Sequence, residues 1–301
     1  MVAAPYPFAS HFLDRDGLRL HYLDEGRGDP VVMLHGNPTW SYYYRNLVAA
    51  LRVRFRCIVP DHIGCGLSDK PQPPRYDYSL KSRIDDLTAL LDHLGVREKV
   101  TLVLHDWGGT IGMAWAARHV EAVKRLVILN TAAFHLPRTK RFPFRLWLGR
   151  NTRLGAWLIR SRNLFARHAA DVAVKRKPLP PDVREWYLKP YDSWENRVAV
   201  LKFVQTIPLK PTDPGYDIVS ETEASLPKFV DKPALICWGM KDFVFSQQFL
   251  DEWVRRLPKA EVHRFADCGH SILEDAAKEV ITLIDRFVSG TGEDRQSKTA
   301  T

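Results

Sequence analysis

Two four-residue runs, Val31-Val-Met-Leu and Leu126-Val-Ile-Leu, are apolar at every position. A strand with one face in water alternates apolar and polar residues. A run with no alternation must be covered on both faces, as in a parallel sheet sandwiched between helices. Similar short runs predict strands near Leu18–Leu23, Val31–His35, Phe55–Pro60, Val100–His105, Arg125–Asn130, Pro233–Trp238 and Glu261–Phe265. Longer amphipathic stretches between them predict helices over Ser41–Arg52, Ser79–Leu94, Gly108–His119, Gln247–Leu257 and Glu274–Phe287. Ser79 fits an N-cap and Gly95 a C-terminal stop. The alternation implies an α/β fold with a mostly parallel central sheet flanked by helices.

The alternation stops after Asn130. From His135 to Asp213 no buried strand is legible, and the segment reads as helices interrupted by Pro178, Pro180, Pro181, Pro190, Pro208 and Pro211. A helical block between two sheet strands implies an inserted cap. The expected organisation is a core of residues 1–134 and 214–290, a helical cap of 135–213, and a disordered polar tail of 291–301.

Charge divides the chain in the same place. The net charge is +9. Between His135 and Asp213 there are 17 Lys and Arg against 6 Asp and Glu, while the rest carries 27 against 29. So local a field acts on partners rather than on the fold. Four scattered cysteines, with no Cys-x-x-Cys pair, point to neither zinc nor a disulfide framework. No window approaches the ~18 uncharged apolar residues of a membrane span. The opening Met-Val-Ala-Ala-Pro-Tyr-Pro has no basic start and no apolar run, so no secretory signal is expected. A cytoplasmic enzyme with reduced thiols is the expectation. Asp61-His-Ile-Gly-Cys-Gly holds a lone Gly-x-Gly without the third glycine of a dinucleotide site. No cofactor and no metal are expected.

The strongest chemical signal is Leu104-His-Asp-Trp-Gly-Gly, which joins an apolar run to a small-residue helix start. In a nucleophile elbow the reactive side chain sits on a sharp strand-to-helix turn. Here Asp106 holds that position, with Leu104 rather than glycine two residues before it. A carboxylate can attack carbon and form a covalent ester without a base to activate it. Asp242 follows a predicted strand in Gly239-Met-Lys-Asp, and His270 follows another in Asp267-Cys-Gly-His. The chain order nucleophile, acid, histidine makes Asp242 the expected partner of one ring nitrogen of His270. His35-Gly-Asn-Pro-Thr-Trp supplies Asn37, and Trp107 follows the nucleophile. Their backbone and side-chain N–H groups are the expected donors to a developing anion.

These motifs resemble the haloalkane dehalogenase superfamily of α/β-hydrolases, from about Gly17 to Val288. In dehalogenases of this pattern the residues matching Asn37 and Trp107 stabilise halide. Cys57-Ile-Val-Pro-Asp-His-Ile-Gly, Asn130-Thr-Ala-Ala-Phe, Pro190-Tyr-Asp-Ser-Trp-Glu-Asn-Arg, Phe203-Val-Gln-Thr-Ile-Pro-Leu and Glu261-Val-His-Arg-Phe-Ala-Asp are closer to one branch. They resemble the β-lactone decarboxylases of bacterial olefin biosynthesis, which overlap the third dehalogenase subfamily. The resemblance implies that a cis-3-alkyl-4-alkyl-β-lactone (oxetan-2-one) loses carbon dioxide to leave a cis-alkene, with Asp106 as nucleophile and His270–Asp242 as its pair. Attack on the carbonyl and attack on the ring carbon bearing oxygen both stay open. The alternative is haloalkane dehalogenase chemistry by the same three residues. An epoxide hydrolase would need Tyr187 or Tyr191 as acid, and a non-catalytic binding protein would leave the three unused.

From Arg138 to Arg167 there are nine basic residues and no acidic one. Arg153, Arg160 and Arg167 recur every seven residues, the spacing of one helix stripe, beside Leu154, Trp157, Leu158, Leu164 and Phe165. Such a face suits an anionic membrane surface or, given the resemblance, other olefin-pathway enzymes. Peripheral attachment is therefore a further expectation. Nucleic acid is not, since no binding motif accompanies the charge.

Overall fold

The computed structural model describes residues 6–290; the tail expected at 291–301 lies outside them. Eight strands form one sheet: β1 (His11–Arg15), β2 (Leu18–Glu25), β3 (Pro30–Leu34), β4 (Arg56–Pro60), β5 (Val100–Asp106), β6 (Val123–Thr131), β7 (Ala234–Gly239) and β8 (Glu261–Phe265). Their spatial order is β1-β2-β4-β3-β5-β6-β7-β8. β1 and β2 are antiparallel to their neighbours and β4, β3, β5, β6, β7 and β8 run parallel.

The wholly apolar runs serve both faces, as their lack of alternation requires. Val32, Leu34, Leu126 and Ile128 join the core on one side, with α2 (Leu80–His93), α3 (Trp107–Arg118) and α10 (Gln247–Arg256). Val31, Met33, Val127 and Leu129 join the other, with α1 (Arg45–Leu51) and α12 (Ala277–Val288). Each such fully buried side chain contributes roughly 2 kcal/mol. Ser79 caps α2 by accepting from Ser82 N–H at 3.0 Å.

Three readings change. β1 is an additional strand without an apolar run, its HFLDR residues being mostly exposed at the sheet edge. The helix expected over Ser41–Arg52 opens as a 3₁₀ turn, Ser41–Tyr44, before α1. The helix expected over Glu274–Phe287 splits at Ala276, where extended φ separates α11 (Ile272–Asp275) from α12.

Between β6 and β7 the regular structure among the described residues is helical: α4 (Phe144–Asn151), α5 (Arg153–Arg162), α6 (Leu164–Val172), α7 (Pro181–Leu188), α8 (Val198–Gln205) and α9 (Tyr216–Ser225), with short 3₁₀ turns between. α9 packs on α3 beside the sheet, while α4, α5 and α8 pack on one another. Their small separate core is built on Ile159, Ala166, Tyr191, Val200, Leu201 and Val204. The single stripe of Arg153, Arg160 and Arg167 does not form. Asn163 takes a left-handed conformation (φ 52°) and ends α5, so Arg167 stands on α6. Arg160 is committed: it donates to Trp194 O at 3.0 Å and Gln72 Oε1 at 2.9 Å, stacked over the Trp194 ring.

Candidate active site

Asp106 ends β5 and precedes the first turn of α3 with φ 51° and ψ −128°, a conformation that L-residues avoid. Contacts on every side hold it there. The Thr131 hydroxyl donates to Asp106 O. At Gly108 a Cβ would lie 1.9 Å from Leu34 O, so only glycine lets α3 approach β3 this closely. Leu104 fits because the tight contact lies one turn into α3: its side chain fills the space a Cβ at Gly112 would need, 2.5 Å away.

The two oxygens of Asp106 have different surroundings. Oδ1 accepts from the backbone N–H groups of Asn37 (2.8 Å) and Trp107 (2.7 Å). The pair expected to hold a substrate anion thus holds the carboxylate itself. Oδ2 lies 3.5 Å from His270 Nε2. His270 Nδ1 donates to Asp242 Oδ2 at 2.7 Å. Asp242 is buried, and its Oδ1 accepts from the N–H groups of Val244 (2.8 Å) and Phe245 (3.1 Å). The structure therefore brings Asp106, His270 and Asp242 together from the ends of β5, β8 and β7.

Burial alone would push the His270 pKa down. The charge of Asp242, and then Asp106, outweighs it and lifts the ring to about 10. Burial would raise the Asp106 pKa, but His270 and the Asn37 N–H hold it below the usual value. The two acids thus favour the protonated ring. Beneath it, His105 donates from Nε2 to His270 O (2.9 Å), and burial drives its own pKa to about 3.

One supporting residue was not anticipated. Asn130 Nδ2 donates to Asp242 Oδ2 (3.1 Å) and Gly239 O (3.1 Å), and its Oδ1 accepts from Gly239 N–H (2.8 Å). It fixes the acid from β6. Its signal was a lone amide at the carboxyl end of an apolar strand, where open sheets build sites.

A pocket opens over Asp106, lined by Asn37, Trp107 and His270 and walled by apolar side chains. Phe142, Leu146, Phe165 and Val204 come to it from the helical insertion, Phe134 and Phe245 from beside the sheet. The Asn37 side chain donates from Nδ2 to Val200 O (3.1 Å), which orients the amide. Neither candidate epoxide acid lines this pocket. Tyr187 donates to Glu274, and the Tyr191 hydroxyl faces Thr39 O, both buried. Among the described residues no cluster of three His, Cys, Asp or Glu is placed to hold a metal ion.

The sequence and the fold have known counterparts. The model of the alpha/beta hydrolase fold matches residues 29–277. The chain is 61% identical to the cis-3-alkyl-4-alkyloxetan-2-one decarboxylase of Shewanella oneidensis, over 97% of this chain and 92% of that protein. It is 49% identical to the enzyme of the same name from Xanthomonas campestris, over 96% and 98%. Among solved structures, haloalkane dehalogenase DbeA from Bradyrhizobium elkani superposes with a TM-score of 0.83 at 26% identity, over 95% and 99%. With an aspartate on the elbow and the acid and histidine following in order, this chain belongs to the alpha/beta hydrolase fold family.

Proposed function

We propose that the chain is a cis-3-alkyl-4-alkyloxetan-2-one decarboxylase that uses Asp106 as nucleophile. The observation that carries this is the asymmetry of the carboxylate: Oδ1 is held by two backbone N–H groups, while Oδ2 stands beside His270 under an apolar pocket. The names of the two decarboxylase relatives supply the substrate class.

Attack by Oδ2 on the ring carbon bearing oxygen breaks that C–O bond. It forms an Asp106 alkyl ester and frees the substrate carboxylate. Loss of carbon dioxide then moves the C–C electron pair into the new double bond and expels Asp106 as carboxylate. Atoms and electrons balance without water. Attack on the carbonyl would leave oxygen on carbon, and forming alkene would then require hydroxide to leave. Balance therefore favours the ester route. With their backbone N–H groups held by Asp106, the remaining Asn37 Nδ2–H and the Trp107 indole N–H are the donors for the released carboxylate, and the His270 imidazolium, fixed by Asp242, faces the charge that returns to Asp106. Residues 135–213 act as a cap whose apolar side chains take the alkyl substituents.

The test is a synthetic cis-β-lactone given beside a bromoalkane. Alkene and carbon dioxide from the lactone, lost in Asp106→Ala, are expected. Halide release without alkene would assign the dehalogenase reaction instead. In that reaction His270 would activate water once the ester has removed one of its two neutralising charges.

The cap surface also fits an anionic lipid bilayer. Phe144, Trp147, Leu154, Trp157 and Leu164 are exposed large apolar side chains on the helices that carry the acid-free basic run. Phe142 and Leu146, on the same stretch, line the pocket, so the exposed patch continues to its wall. Exposed Arg153, Arg162 and Arg167 are the cations for such a surface; Arg160 is not, being tied to Trp194 and Gln72. Glu in place of those three should abolish co-sedimentation with phosphatidylglycerol vesicles. Unchanged sedimentation, or binding only to a partner enzyme, would overturn the lipid assignment. Among the described residues no helix is long and apolar enough to cross a membrane.

A further inference from the structure

Arg83, on α2, is fully buried, yet among the described residues no acid lies within ion-pair distance of it. Its Nη1 lies 3.4 Å from the Thr206 hydroxyl, and its Nε and Nη2 have no hydrogen-bond partner among the described residues. The nearby acids are used elsewhere. Asp86 pairs with Arg15 and accepts from the Tyr76 hydroxyl. Asp77 accepts from Ser79 N–H and the Ser82 hydroxyl. What the guanidinium does touch is aromatic: it sits 3.6 Å over the Phe203 ring and 5.7 Å from the Trp107 ring, which themselves lie 5.4 Å apart.

A buried charge without a partner is costly, and even buried ion pairs are often replaceable by apolar side chains of similar volume without loss of stability. Stability alone therefore gives this arginine no reason to be here. Its place does. Trp107 carries an N–H that holds Asp106 and presents its ring to the pocket. A cation against the indole face draws electron density from the ring and strengthens its positive edge.

We propose that Arg83 is a positioning residue for the anion: its charge, transmitted through Trp107 and the low-dielectric wall with Phe203, stabilises negative charge forming in the pocket above Asp106. This rests on the reaction proposed above for the identity of that anion, the substrate carboxylate, but not for the existence of an anion site.

Two variants separate charge from packing. Arg83→Met keeps the volume and removes the cation. Thr206→Asp keeps the arginine and gives it a carboxylate beside Nη1. Bromide is the probe, titrated by quenching of intrinsic tryptophan fluorescence, so the anion site is read even if the lactone is not turned over. Both variants should weaken bromide binding by about tenfold, the scale of a desolvated cation–π contact. Both should lower kcat on the lactone with KM little changed. Arg83→Met should melt no lower than the parent. Unchanged bromide affinity in Thr206→Asp, or in a folded Arg83→Met, would overturn the proposal. So would a lowered melting temperature with anion affinity intact, which marks a purely structural arginine. Loss of lactone turnover in the parent, with the bromide effect preserved, would overturn only the proposed reaction.

Discussion

The sheet with its elbow and the helices inserted after β6 are held by different physics. At the elbow the tightest contacts are with main-chain atoms or buried side chains: Gly36 against Asp106, Gly108 against Leu34 O, Thr131 on the Asp106 carbonyl. The insertion has only a small core and turns Phe144 outward at 72% exposure. Its attachments include side-chain bonds such as Arg160 to Gln72 at 2.9 Å and the Arg176–Asp267 pair at 2.8 Å. The difference teaches where chemistry and selectivity are stored. A nucleophile must be placed to fractions of an ångström, and the close-packed sheet supplies that. A pocket wall for alkyl chains needs only to be apolar and adaptable.

Substitutions can break that contrast. The largest effect is expected at the nucleophile: Asp106→Ala should lower turnover by ~10⁴-fold or more with the fold intact, read by alkene release and circular dichroism. Next is Gly36→Ala, whose Cβ would sit 1.9 Å from Asp106 Oδ1. It should lower kcat by ~100-fold and stability by about 1–3 kcal/mol, measured together by kinetics and urea unfolding. In the insertion, Phe165→Ala should shift preference toward longer or bulkier alkyl groups by ~10-fold while hardly changing kcat on the preferred lactone. A comparable loss of kcat there would erase the contrast. The smallest effect is one of pH. His270 stands at about 10 in the fold against an ordinary 6.5, so its charge stabilises fully below about 6.5 and that gain is lost as pH rises through about 10. The melting temperature of His270→Gln should therefore fall less steeply than the parent's between pH 8 and about 10.5. Parallel curves would show that the ring is not held charged.

The same contrast explains what was legible in the sequence. Strands β2 to β7 are readable because burial on one or both faces writes itself into apolar runs, and Asp106 and Asp242 because each follows such a run; β8 has no buried residue, and His270 after it is legible from the chain order of nucleophile, acid and histidine. Asn130 and Arg83 are not, since their meaning lies in partners that only the fold brings near: Asp242 from β7, and Phe203 from α8. The arginine stripe failed for a local reason. Seven-residue spacing holds a stripe only along one unbroken helix, and a single left-handed residue, Asn163, ended it. Leu104 at the elbow looked like a departure from small-residue packing, but the space it needs is provided at Gly112, where no pattern had directed attention.

The pinning of Asp106 Oδ1 by two main-chain amides has an isotopic consequence. In ¹⁸O-enriched water a lyase that closes its cycle by expelling the carboxylate retains its original oxygen atoms through every turnover. An enzyme of the same architecture that cleaves its ester hydrolytically writes solvent oxygen into that side chain in the first cycle. The mass of one active-site peptide thus records which history the protein has had.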